Sequence, residues 1–232
     1  MTHLRTSLIA FAALLIPVLS AAAQETTPDP ATERELPEVG DWRIERACEN
    51  AYKEGDYETA KAPCETLARQ GDVEAQRRLG MIYLSERGVM NAEKKAEKWI
   101  RKAAEQGDTR AQFTLGTMYL HGIGVTKVDN FAANWILKAA QGGNAEAQES
   151  IAYMYLMGVG VEKTPKKAVE WYTKSAEQGY AKAQYNLGVL YYKGRGVEQD
   201  TDKGLRLIKK AADQGHEDAR MTMEAVGKPE DR

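Results

Sequence analysis

The sequence predicts an all-α protein, a solenoid of stacked helix-turn-helix repeats. Three observations predict it. Ala-Gln recurs at Ala75-Gln76, Ala111-Gln112, Ala147-Gln148 and Ala183-Gln184, a step of 36 residues. A fixed step of this length marks a repeat array. Tyr83, Tyr119, Tyr155 and Tyr191 keep the same step, as do Gly88, Gly124, Gly160 and Gly196, each followed by Val. Within a unit the apolar residues fall three and four apart, as on one helix face. The first half shows Ala75, Leu79, Ile82 and Tyr83; the second shows Ala96, Trp99, Ile100 and Ala103.

Residues 1–23 carry a basic start (His3, Arg5), an apolar run from Leu8 to Leu19, and Ala21 and Ala23 before the cut. This pattern is expected to be a secretory signal peptide. The chain is then expected to be secreted, with a bacterial periplasm as its expected compartment, and removal of the signal to leave no membrane span. Residues 24–41 hold Pro28, Pro30 and Pro37 among polar residues and are expected to form a flexible linker.

Residues 42–71 are expected to form a capping helical hairpin, Trp42 to Glu54 and Tyr57 to Gln70, turning at Gly55-Asp56. Cys48 lies seven residues before Gly55 and Cys64 eight after Asp56, so in an antiparallel hairpin they come abreast. A Cys48–Cys64 disulfide is expected, in keeping with an oxidising compartment. Two buried free thiols are the alternative.

Four repeats follow: 72–107, 108–143, 144–179 and 180–215. Asp72, Asp108 and Asn144 stand where an N-cap belongs, just after the closing glycine. The Gly-x-Gly stretches at 122/124, 158/160 and 194/196 read as turns between the paired helices, with Glu86 replacing the first glycine in unit one. Each second helix closes on AAEQG or a close variant, glycine last. A lone hairpin cannot bury its apolar face, whereas stacked hairpins cover one another. Residues 216–232 are expected to be a C-terminal capping half-repeat and tail.

The chain has 232 residues, Lys+Arg 32 and Asp+Glu 34, a net charge of −2. That balance argues against nucleic acid as the partner. Two Cys and three His exclude a multi-cysteine zinc site.

The motif A-x-A-Q-x-x-L-G-x-x-Y-x-x-G-x-G-V, then A-x-x-W-x-x-K-A-A-E-Q-G, resembles the Sel-one-like repeat family, a relative of the tetratricopeptide repeats. Unit four reads AKAQYNLGVLYYKGRGV and unit three AVEWYTKSAEQG. The similarity covers about 72–226. Ala152 replaces a glycine and Leu207 a tryptophan. The resemblance implies a right-handed α-solenoid whose first helices line a concave face. It implies an adaptor scaffold rather than an enzyme.

Some secreted, cysteine-rich members of that family carry a β-lactamase label, so an envelope hydrolase is the alternative. This chain has two Cys and no S-x-x-K motif. No cofactor or metal site is expected. His121 and His216 stand 95 residues apart in sequence and are expected to be solvated.

The repeated positions hold the stack, so the positions that vary are free to meet a ligand. By analogy with tetratricopeptide geometry the groove side of the first helices carries Arg77 and Arg78 in unit one. Unit two supplies Phe113 and His121, with Thr114 and Thr117 between them. Unit three supplies Tyr153 and Met157, beside Glu149 and Ser150. Unit four supplies Tyr185 and Lys193. Arg, Tyr, Phe and Met are enriched at protein interfaces. The expected partner is a protein or peptide segment lying along the groove of a monomer, possessing no catalytic residue of the scaffold's own. Some of these aromatics are equally suited to padding neighbouring layers.

Overall fold

Two short capping devices set the helix boundaries, and both come from the sequence of a single unit. The computed structural model describes residues 41–86 and 88–227. The expected signal peptide, most of the expected linker and the final residues lie outside them. Among the described residues eleven helices follow one another: α1 (Asp41–Glu54), α2 (Tyr57–Gln70), α3 (Val73–Ser85), α4 (Ala92–Glu105), α5 (Thr109–His121), α6 (Asp129–Gln141), α7 (Ala145–Met157), α8 (Pro165–Glu177), α9 (Ala181–Lys193), α10 (Thr201–Asp213) and α11 (Glu217–Gly227). No strand occurs among the described residues. Each helix packs on the one before and the one after it. The all-α repeat architecture is therefore as the sequence predicts. Asp41, assigned to the linker, is already helical.

The first capping device is an acid or amide side chain at the start of the first helices. Asp72, Asp108 and Asn144 accept from the backbone N–H of Ala75, Ala111 and Ala147 at 2.6–2.8 Å. This satisfies one of the four N–H groups that a helix start leaves unpaired. Tyr180 takes that place in unit four, and α9 begins without a side-chain cap. His216 takes it before α11, where Nδ1 accepts from Ala219 N–H at 3.3 Å. His216 also stacks on Tyr185, ring centroids 4.9 Å apart. The expectation that His216 is merely solvated is corrected: it is half-buried and caps the start of α11.

The second device is the closing glycine. Gly71, Gly107, Gly143, Gly179 and Gly215 all have positive φ, from 86° to 103°. The residue after each glycine donates its N–H back to the helix, as Asp108 does to Ala103 O at 3.1 Å.

The Gly-x-Gly turns do more than reverse the chain. The first glycine ends the helix with positive φ. The second lies against the preceding hairpin. A Cβ at Gly124 would sit 2.4 Å from Glu93 O, and at Gly160 2.0 Å from Asp129 O. Backbone touches backbone there. Ile123 and Val125 of the same turn pack on the core of the preceding unit, and Val159 and Val161 repeat the arrangement one unit later. In unit one the turn differs. Glu86 replaces the glycine, three-residue bonds carry the chain round, and Asn91 takes positive φ. The Glu86 carboxylate reaches back to Lys61 on α2, which ties the N-terminal hairpin to the first repeat.

Within a hairpin, glycine again lets two helices approach. A Cβ at Gly80, Gly116 or Gly188 would meet Ile100, Ile136 or Ile208 at 2.5–2.7 Å. Unit three changes both partners at once: Ala152 faces a core that holds Tyr172 instead of isoleucine.

Cys48 and Cys64 are joined, with Cα atoms 4.9 Å apart, and no free cysteine exists among the described residues. Intact mass should rise by two hydrogens on reduction. Cys48→Ser with Cys64→Ser should destabilise α1–α2 by about 3 kcal/mol, read as faster hydrogen exchange confined to that hairpin. Two glycines separate turn strain from layer contact. Gly143→Ala puts Cβ in open space and should cost about 1 kcal/mol for positive φ. Gly160→Ala adds a backbone clash and should cost about 3 kcal/mol or more, measured by urea unfolding.

Candidate functional site

The repeated Gln of Ala-Gln is the seam between layers. Gln76, Gln112, Gln148 and Gln184 each donate Nε2 to the carbonyl of Ala68, Ala104, Ala140 or Ala176, near the end of the preceding hairpin. Their Oε1 atoms accept from the Gln that ends the second helix of the same unit: Gln106 to Gln76, Gln178 to Gln148, Gln214 to Gln184, at 2.7–2.8 Å. The second unit breaks the pattern, since Gly142 stands where the others have Gln. Reading the sequence for period alone misses this role, although the recurrence of Gln at both places is its signal.

A second repeated pair is tryptophan with lysine. Lys102, Lys138 and Lys174 lie over Trp99, Trp135 and Trp171, 4.1–4.7 Å from the ring centroids. Trp135 and Trp171 pack on the core of the preceding unit. These residues hold layers together and leave little for recognition.

The varying positions of the first helices behave differently. Phe113, Thr117, Leu120 and His121 of α5 meet Glu149, Ser150, Tyr153 and Met154 of α7 around a cavity of about 270 Å³. Ile136 of α6 and Lys182 of α9 complete its wall. Three successive units thus contribute to one concavity. Tyr153 is half exposed (50%) and Phe113 half-buried. Tyr185 and Lys193 line a separate cavity of about 310 Å³ with Val189, Ile208 and residues of α11. Met157 is exposed and lines neither.

Arg77 does not meet a ligand freely, and Arg78 is already paired. Arg77 is buried; it donates to Glu74 and lies 3.5 Å from Asp108 Oδ2. Arg78 pairs with Glu74 at 3.1 Å and lies over the Tyr52 ring. Burial pushes the Glu74 carboxyl up, but the Arg77 hydrogen bond and the charges of Arg77 and Arg78 overcome it and hold it below the usual carboxylate range. The basic end of the predicted groove is an ion-pair cluster. A reading of one unit cannot place Asp108, which arrives from the next.

Glu149 is the inverse case. It is 2% exposed, with Oε2 3.0 Å from Lys182 Nζ and Oε1 accepting from Asn186 Nδ2 at 3.0 Å. Beneath it Tyr172 is wholly buried, and its hydroxyl finds no hydrogen-bond partner among the described residues. Burial, reinforced by the Glu149 charge, pushes that hydroxyl above the ordinary tyrosine value. No cluster of three or more His, Cys, Asp or Glu suited to a metal occurs among the described residues. The hydroxyls of Ser85 and Ser175 donate to the carbonyls of Ile82 and Ala145.

This geometry and the repeat together define a helical-repeat binding protein. The Sel1 repeat family matches residues 73–108, 109–144, 145–180 and 181–216, and the chain belongs to that family. Sel1 repeat proteins are protein-interaction scaffolds. The chain is similar to a solved Sel1 repeat protein from Oxalobacter formigenes, at 33% identity over 80% of this chain and 78% of that one, TM-score 0.72. It is also similar to a protective antigen of uropathogenic Escherichia coli that displays an SLR fold, at 32% identity and TM-score 0.70. That match covers 81% of this chain and 41% of the antigen, so the chain spans less than half of that relative's length. The immunity protein PA5088 of Pseudomonas aeruginosa shares the fold, at 19% identity over 80% of this chain and 72% of that one, TM-score 0.54. A comparison with curated proteins found no match. No helix among the described residues is long and apolar enough to cross a membrane.

Tyr172→Phe should stabilise the protein by about 1 kcal/mol, because it removes an unpaired buried hydroxyl. Tyr172 titrates higher in the folded state, so the folded form is favoured below the unfolded value of about 10 and loses ground as pH rises past it. The urea midpoint of the variant should therefore fall less steeply above that pH than that of the parent.

Proposed function

We propose that the protein is an exported scaffold that holds a segment of another protein along the first helices of its repeats, α3, α5, α7 and α9. The observation that carries the reading is the cavity between α5 and α7, where three units converge and Tyr153 stands half exposed over the opening. A surface formed this way belongs to the stack and to no single repeat, as in other solenoid arrays. Phe113, His121, Tyr153 and Met157 supply the central contacts, and Arg78, Tyr185 and Lys193 the flanks. Arg77 helps to hold Arg78 and Glu74 in place rather than meeting the ligand.

The disulfide is consistent with an oxidising compartment. In this reading residues 1–23 are a signal peptide, 24–41 a tether, 42–71 and 216–232 the caps, and 72–215 the binding array. The scaffold works as a monomer in the periplasm and modulates envelope assembly or a cell-wall enzyme through its bound partner. Its contribution is to gather chains, without chemistry of its own.

Replacing Tyr153 by a photo-crosslinking phenylalanine in the native envelope should capture a partner. The same residue at Glu170, on the exposed side of α8, should not. Adding Phe113→Ala should lower capture at position 153 by about tenfold while leaving helicity intact. Equal capture from both positions would remove the groove.

A further inference from the structure

The cavity between α5 and α7 has a feature that a surface for apolar contact does not need. Its wall holds Glu149, 2% exposed. Burying a carboxylate is costly unless its oxygens are met. A carboxylate offers about four acceptor directions; here one is taken by Asn186 and one by Lys182. Lys182 is a loose partner, because its side chain is 57% exposed. The repeats place very different residues at this register: Arg77, Phe113, Glu149 and Tyr185. Stacking therefore does not call for an acid there.

We propose that this cavity receives the guanidinium of an arginine in the bound segment, with Glu149 as its carboxylate and the rings of Phe113 and Tyr153 beside it. The proposal rests on the groove reading above and names the chemistry of its occupant. Three observations select a guanidinium. A buried carboxylate with unused acceptor directions suits a planar fork that donates two parallel hydrogen bonds. Two aromatic rings in the same wall favour a cation, and arginine most often. The cavity, at about 270 Å³, is of a size for one long side chain. Lys182 occupies the carboxylate while the site is empty, and a forked donor displaces its single ammonium toward solvent. Tyr172, buried in the same unit with an unpaired hydroxyl, adds a second polar group to the interior of unit three.

The test uses the full chain and two capped alanine-based peptides, one with a central arginine and one with its uncharged isostere citrulline. Binding is followed by NMR at the amides of Ser150, Tyr153 and Asn186. The arginine peptide should bind on the order of tenfold tighter than the citrulline peptide. Glu149→Gln keeps the shape and should erase that preference. Lys182→Met keeps the stem, removes the competing ammonium, and should tighten arginine binding severalfold. Equal affinity for the two peptides, or loss of arginine binding in Lys182→Met, would overturn the cation site. If neither peptide shifts these amides while position 153 still crosslinks a partner, the cation site falls and the groove stands. If position 153 also captures nothing, both readings fall.

Discussion

The repeat array depends on backbone meeting backbone at the junctions between its four repeats. At Gly124 and Gly160 the turn of one hairpin lies so near the start of the preceding second helix that no side chain fits between them. That contact sets the spacing at which Val125 and Val161 reach the neighbouring core. It also fixes where the Gln side chains find the carbonyls of Ala104 and Ala140. Apolar burial drives the association of the hairpins, but it is not directional. The glycine contacts and the amide bonds turn stacking into a register.

Much of this was legible in the sequence because each device lies within one unit. Asp72, Asp108 and Asn144 sit beside the glycine that precedes them, and their capping bonds span three residues. Cys48 and Cys64 face each other across a turn whose length can be counted. The candidate site was legible only in part. Arg77 pairs with Glu74 on its own helix and also faces Asp108 from the following unit, and Glu149 is held by Lys182 and Asn186 from the next one along. Charges that look free along one helix are spoken for by a neighbour 30 or more residues away. The same holds for the Gln seam, whose bonds join positions 30 residues apart. Nor does sequence alone disclose that His216 serves as a cap, because histidine seldom stands there.

Stability is unevenly invested along the stack. The first hairpin is covalently closed and tied forward by Lys61 and Glu86. The middle repeats instead carry a buried carboxylate and an unpaired buried hydroxyl, both of which cost stability. Proteins commonly tolerate such costs where a surface has work to do. The first hairpin is the fastened part of the array, and unit three holds the buried carboxylate and the unpaired tyrosine hydroxyl.

One small irregularity bears on mechanics. Where units one, three and four fasten the end of the second helix through Gln106, Gln178 and Gln214, unit two has Gly142. The helix that ends there, α6, also supplies Ile136 to the floor of the central cavity. Regarded as a spring, the molecule has one softer coil, and it lies beneath the mouth. Bending is expected to concentrate there, while the coils on either side keep their pitch.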